Sequence, residues 1–260
     1  MDTGRRDQTM EAIVALRSRD PQRILRALPA GRSSIGLVGH MIPLLERDDV
    51  YGYVTAALRS AHPAPIGQLL DALLDESTKP IVRLRVARVL RGLPDPRTAQ
   101  GLVLGLRDPR PDVRAHCGRA LAVLARRDPG LRPAAERVLG ALDAELASPA
   151  RDVDLDHVFT LIALALDRES VRLALEALRG SDEGERGAAL DYLANVLPPR
   201  VRDSLWPRLT NVDEVQRRGP EASAEASSAA IPIDRAALRA RLLAADAVQD
   251  GNDLTPGDRP

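Results

Sequence analysis

Aromatic side chains are almost missing from this chain: Phe, Trp and Tyr together supply five of 260 residues. A β-sandwich or barrel draws on aromatic and β-branched residues, so this scarcity argues against one. Lysine is nearly absent as well; Lys79 stands alone and every other basic residue is Arg. One cysteine, Cys117, excludes an intrachain disulfide and a thiolate metal cluster. Long apolar runs are lacking too. The longest covers residues 158–166, including Thr160, whereas a membrane span needs about 20 residues. The first 19 residues are charged and hold no apolar core of signal-peptide length. The chain is therefore expected to be soluble, cytoplasmic and without membrane insertion.

What is abundant is Leu and Ala, 39 residues each, beside the many Arg. These are strong helix formers. Apolar residues recur at spacings of three and four, as in Met10, Ile13 and Val14, then Ile24, Leu25 and Leu28. Pairs such as Asp95-Pro96, Asp108-Pro109 and Asp128-Pro129 punctuate the pattern. Proline in a first helical turn loses no hydrogen bond, and an Asp before it caps the exposed N–H groups. The pattern predicts about 13 helices, over 7–18, 21–29, 34–47, 49–61, 64–75, 80–92, 96–107, 110–127, 131–147, 153–167, 169–179, 183–197 and 199–209, and no strand.

The helices pair, and the pairs repeat. Val50, Val82 and Val113 lie 32 and 31 residues apart, and Leu58, Leu90 and Leu121 keep those spacings. A period near 31 with a helix–turn–helix unit marks an α-solenoid, whose pairs bury their apolar faces against neighbours. A fourth copy leads from Ser181 through Arg186 to Leu193. Residues 211–230 lose the periodicity and read as a linker. Residues 232–246 form one amphipathic stretch, and 247–260 read as a disordered tail. The expected division is a solenoid over 1–209 and a linker, short helix and tail over 210–260.

Asp108, Val113-Arg114 and Ala120-Leu121 resemble the HEAT repeat, with its turn Asp, its Val-Arg opening the second helix and its small and Leu packing residues. Val82-Arg83 matches with a longer turn, and Arg186 matches without the Val. The resemblance covers roughly residues 10–209. It implies an all-α, α-α superhelix of antiparallel helix pairs, of the HEAT or armadillo-like kind. The phrases 114–121, 157–161 and 188–199 look like an uncharacterised group of bacterial HEAT proteins, some of which carry the array beside a transporter-like membrane region.

Motifs of chemistry are weak. Asp152, Asp154 and Asp156 begin like a calcium loop, but His157 and Ala163 stand where Gly and Glu are needed. Residues 31–36 are not G-x-S-x-G, and no P-loop or G-x-G-x-x-G occurs. The four His residues form no ligand pair. Cys117 shares a repeat position with Val86 and reads as core. No cofactor, no metal and no catalytic residue is expected, and the chain is read as not an enzyme.

Arg83, Arg114 and Arg186 share one repeat position and are expected to form a ladder onto turn Asp residues or carbonyls. With Val82, Val86, Val89 and Leu90 buried, Arg85 and Arg88 would face outward; with Val113, Cys117, Ala120 and Leu121 buried, so would His116 and Arg119. The HEAT resemblance places second helices along the concave surface. Tyr53, Arg85, Arg88, His116 and Arg119 then form one candidate partner-binding strip. Residues 79–137 hold 14 basic and 5 acidic residues, while 138–169 hold 2 and 7. A basic middle attracts an acidic partner. The expected function is a non-catalytic scaffold binding an acidic surface or helix of another protein. The alternatives are a nucleic-acid-binding HEAT protein like the DNA glycosylases, a chromophore enzyme like the phycobilin lyases, and a cytosolic regulatory module of a membrane transporter. The basic stretch has no aromatic residue for base stacking, which weakens the nucleic-acid reading.

Overall fold

The structure, a computed structural model, describes residues 3–33, 35–61, 63, 65–147 and 154–217. Among them are 13 α-helices, two short 3-10 turns and no strand. The chain is all-α, built from packed helix pairs. It forms two compact units, Met1–Ala141 and Leu142–Pro260, divided within one helix. No described helix is long and apolar enough to cross a membrane.

The first unit contains α1 (Thr3–Leu16), α2 (Pro21–Ser33), α3 (Ile35–Met41), α4 (Tyr51–Ser60), α5 (Ile66–Leu74), α6 (Pro80–Leu90), α7 (Pro96–Gly105) and α8 (Pro111–Arg127). A 3-10 turn, Ile42–Glu46, follows α3. Successive helices pack as pairs: α1 on α2, α5 on α6, α7 on α8. The pairs then stack in two layers. Even-numbered helices touch in the order α2, α4, α6, α8, and α1 touches α3 as α5 touches α7. This layering fits the stacking of a helical repeat.

The repeat positions read from the sequence are the core. Val50, Val82, Val113, Leu58, Leu90 and Leu121 are all buried, as is Leu193 in the fourth copy. Fully burying a Leu or Val side chain stabilises by about 1.5–3 kcal/mol, and here each helix gains it only from its neighbours. Small residues let the layers approach. A Cβ on Gly105 would lie 2.5 Å from Cys117 Sγ, so only glycine allows α7 to sit this close to α8.

The second unit follows the division inside α9 (Ala135–Ala147) and holds α10 (Leu155–Ala165), α11 (Arg168–Arg179), α12 (Glu183–Val196) and α13 (Pro199–Arg217). α11 packs on both α10 and α12. Of the Asp-Pro pairs expected to start helices, Asp95 caps α7, whereas Asp108 accepts the N–H of Arg110 ahead of α8 and Asp128 caps only a 3-10 turn, Pro129–Leu131. Asp154, Asp167 and Asp182 also accept a backbone N–H from the first turn of the helix they precede. Each such cap is worth about 1 kcal/mol.

Several boundaries differ from expectation: α1 begins at Thr3 rather than 7, and α9 at Ala135 rather than 131, behind the 3-10 turn Pro129–Leu131. The helix expected over 34–47 changes at Met41 into the 3-10 turn, which carries Pro43 near its start; proline has no N–H for the α-helical bond one turn back. α2 runs past Pro29 to Ser33, since one lost bond does not end a helix held by neighbours. α13 runs to Arg217 rather than stopping at 209. Loss of apolar periodicity removes a packing face, not helix propensity, and no Gly or Pro interrupts 208–217. The start of the expected linker is thus helical; the rest of it, the 232–246 stretch and the tail lie outside the described residues.

Candidate functional site

The arginine ladder is present. Arg83 Nε donates to Leu73 O at 2.8 Å, and its Nη2 pairs with the Asp108 carboxylate, which belongs to the next helix pair. Arg114 donates to the carbonyls of Asp108 (2.8 Å) and Pro109 (3.1 Å), and Arg186 to Leu178 O. Other arginines repeat the theme. Arg47 donates to Ser18 O and Arg19 O, Arg59 to Arg88 O and Val89 O, and Arg202 to Ala194 O. Carbonyls at helix C-termini have no intrahelical donor, and a planar guanidinium satisfies two at once.

Arg85 belongs to this group, not to an open strip. Expected to face outward, it instead donates to Leu45 O (2.7 Å) and Glu46 O (3.2 Å) and pairs with Asp48. Its guanidinium lies 4.6 Å over the Tyr51 ring, and its side chain is 14% exposed. The carbonyls ending the 3-10 turn draw it back across the gap between helix pairs.

A different set of arginines makes none of these contacts. α6 packs on both α4 and α8. Tyr51 of α4, Arg88 and Ala87 of α6, Arg91 just beyond it, and His116, Arg119 and Ala120 of α8 line one groove of about 410 Å³. Ala87 and Ala120 leave the space that larger side chains would fill. Arg88, Arg91 and Arg119 are exposed at the rim. Among the described residues, none of the three is paired with a carboxylate. Arg59 lies close by; burial, then the charges of Arg91 and Arg127, hold its pKa below the ordinary arginine value. The groove therefore carries a concentrated positive field.

His116 sits within it. Its Nδ1 lies 2.8 Å from Asp112 O and its Nε2 lies 3.3 Å from Arg88 Nη2, while Arg119 Nη2 is 3.1 Å from Nδ1. A carbonyl only accepts, so Nδ1 carries the hydrogen and Nε2 accepts from Arg88, while Arg119 Nη2 faces an N–H and is left without an acceptor there. Both ring nitrogens are then used by the neutral imidazole. Burial first lowers the His116 pKa from 6.5; the bond to Asp112 O works against this, and the charges of Arg119 and Arg88 lower it further. The ring is neutral at pH 7.

The structure thus brings Arg88, His116 and Arg119 together, diverts Arg85, and leaves Tyr53 61% exposed outside the groove lining. Arg91 and Tyr51 were missed. Arg91 is three residues after Arg88, a helical spacing that puts both on one side. Tyr51 had no sequence signal of its own. Cys117 is buried, and burial pushes its thiol up to about 12, as suits a core residue. Asp154 caps α10, while Asp152 lies outside the described residues. No group of three His, Cys, Asp or Glu among the described residues is arranged to hold a metal ion.

No protein-family model matches the chain, and no curated protein matches it; the finer resemblance to a bacterial group gains no support. Among solved structures, the chain is similar to an engineered protein at 17% identity, over 78% of this chain and 95% of that one, with a TM-score of 0.36. It is also similar to human deoxyhypusine hydroxylase in complex with glycerol, at 19% identity, over 96% of this chain and all of that one, with a TM-score of 0.36. That neighbour is an enzyme, which corrects the expectation of a non-catalytic scaffold: the exclusion of enzymatic function does not stand. At this TM-score the likeness brings no activity or substrate to the present chain. The physical fault lay in searching for linear motifs. Helix packing brings Arg88 to His116 across 28 residues, and a site assembled that way leaves no motif.

Proposed function

We propose that the groove between α4, α6 and α8 binds an acidic segment of another protein, with Arg88, Arg91 and Arg119 as its anion-holding residues and His116 between them. One observation carries the reading. Arg59, Arg83, Arg85 and Arg114 of these helices are used on carbonyls or carboxylates, whereas these three surround a groove of about 410 Å³ and, among the described residues, have no carboxylate partner. Like charges gathered without compensation raise the energy of the free protein, and an anionic ligand relieves it. Planar guanidiniums suit carboxylates that can accept two hydrogen bonds each. Titrating a fluorescent oligo-aspartate peptide at low salt tests this. Binding should weaken as salt is raised and disappear in Arg88→Glu/Arg119→Glu, whose far-UV circular dichroism should match wild type. Unaltered binding by that variant, or preference for duplex DNA over the peptide, overturns the reading.

We also infer that the helix pairs are HEAT-type repeats. The two-layer stacking of α1–α8, the turn Asp108 and the shared position of Arg83, Arg114 and Arg186 support this.

A further inference from the structure

We propose that His116 couples binding in this groove to uptake of one proton, making the site a pH-dependent anion receptor. The inference rests on the anion-binding reading above. In the free groove Arg88 Nη2 donates to His116 Nε2 across 3.3 Å. That contact holds only while Nε2 is unprotonated. The opposite ring nitrogen donates to Asp112 O at 2.8 Å, so Arg119 Nη2, 3.1 Å from that same nitrogen, makes no hydrogen bond to it.

An anion entering the groove competes for Arg88. Once the guanidinium turns to the ligand, Nε2 loses its donor and faces negative charge instead of positive. A proton from solvent then binds Nε2, and the new N–H donates to the ligand. One proton is gained, no covalent bond of the ligand changes, and the imidazolium adds a further cation to the site.

Burial and the guanidiniums lower the His116 pKa, and Asp112 opposes them. From α6, Arg88 and Arg91 border the groove with His116; from α8, Arg119 and Asp112 flank it, Asp112 reaching it chiefly through its carbonyl; from α4, Tyr51 lines the same groove. No charged group of α7 or of the 3-10 turn Pro129–Leu131 is among those acting on it. Burial and the two nearest guanidiniums hold the free-state pKa below 6.5, and a bound anion raises it. The sign follows from linkage. Affinity is constant above the bound-state pKa, rises as pH falls through it, and levels off below the free-state pKa. One proton limits the slope to about tenfold per pH unit.

Isothermal calorimetry with the oligo-aspartate peptide tests this, with the full chain at pH 6.5 in two buffers of different ionisation enthalpy. Aspartates remain ionised over this range. Wild type should take up protons on binding, to a limit of one, and its affinity should rise as pH falls from 8 to 6. His116→Asn keeps a donor for Asp112 O but cannot titrate; its binding should be independent of pH and show no uptake. Peptide binding without proton uptake in wild type overturns the inference and leaves the anion-binding reading standing. Uptake that persists in His116→Asn assigns the proton elsewhere and overturns it too. Failure of wild type to bind the peptide at low salt overturns both.

Discussion

Removing the negative charge from Asp108 should destabilise the first unit more than any surface charge change. Its carboxylate and the Arg83 guanidinium are 4% and 2% exposed, so neither is screened by water. Asp108 Oδ2 pairs with Arg83 Nη2 while Oδ1 accepts the N–H of Arg110 at 3.0 Å. Asp108→Asn keeps the shape but leaves Arg83 a buried cation without a counter-charge, and one acceptor oxygen where Arg83 Nη2 and the Arg110 N–H each had their own. Breaking a buried pair in this way typically costs about 3–5 kcal/mol. For a unit of this size that is a fall in Tm of roughly 10–15 °C. Urea unfolding followed by far-UV circular dichroism should show the midpoint of the first unit's transition falling with its slope unchanged. The double variant Arg83→Met/Asp108→Asn removes both charges, so it should be more stable than the sum of the single effects by at least 1 kcal/mol, the mark of a directly coupled pair. A loss under about 1 kcal/mol in Asp108→Asn, or strict additivity in the double variant, refutes the reasoning.

Two other measurements probe the packing. Gly105→Ala should lower the urea midpoint, because its Cβ would sit 2.5 Å from Cys117 Sγ; overpacking costs about 1–3 kcal/mol, which outweighs the helix-propensity gain of about 1 kcal/mol, and a more stable variant would contradict this. The Cys117 thiol, buried and pushed up to about 12, should resist a disulfide reagent at pH 8 and react only as fast as the unit opens; prompt stoichiometric labelling of the native protein would show that the position is accessible.

Helix number, pairing and core were legible in the sequence because they depend on where Cβ atoms point, which the 3.6-residue period fixes. Val82, Val86, Val113 and Cys117 were placed inward and are buried. Boundaries were less legible where a proline or a missing apolar face had to be weighed against tertiary support, as at Pro29, Pro43 and 210–217. The groove was legible in part. Arg88, His116 and Arg119 followed from the same Cβ geometry. Arg85 did not, since Cβ direction says little about where a guanidinium ends after four rotatable bonds, and the carbonyls that draw it lie 39 and 40 residues away.

The near-absence of lysine acquires a physical meaning from these contacts. Short helices expose many C-terminal carbonyls, and each gap between helix pairs leaves some of them half-buried. An ammonium is a point charge that holds its hydration strongly, whereas a guanidinium offers a flat fork that bridges two carbonyls and sheds water more readily. Arg47, Arg59, Arg85 and Arg114 each bridge two backbone oxygens. A chain of stacked short helices therefore uses arginine as a structural residue, and arginine content alone says nothing of a binding surface. The useful distinction is what each guanidinium touches. Those spent on carbonyls should respond to mutation through stability. Arg88, Arg91 and Arg119, which border open space and a neutral histidine, should respond through binding. The basic segment of residues 79–137 contains both kinds, so its net charge overstates the binding site, and Arg88, Arg91 and Arg119 are the part of it that borders the groove.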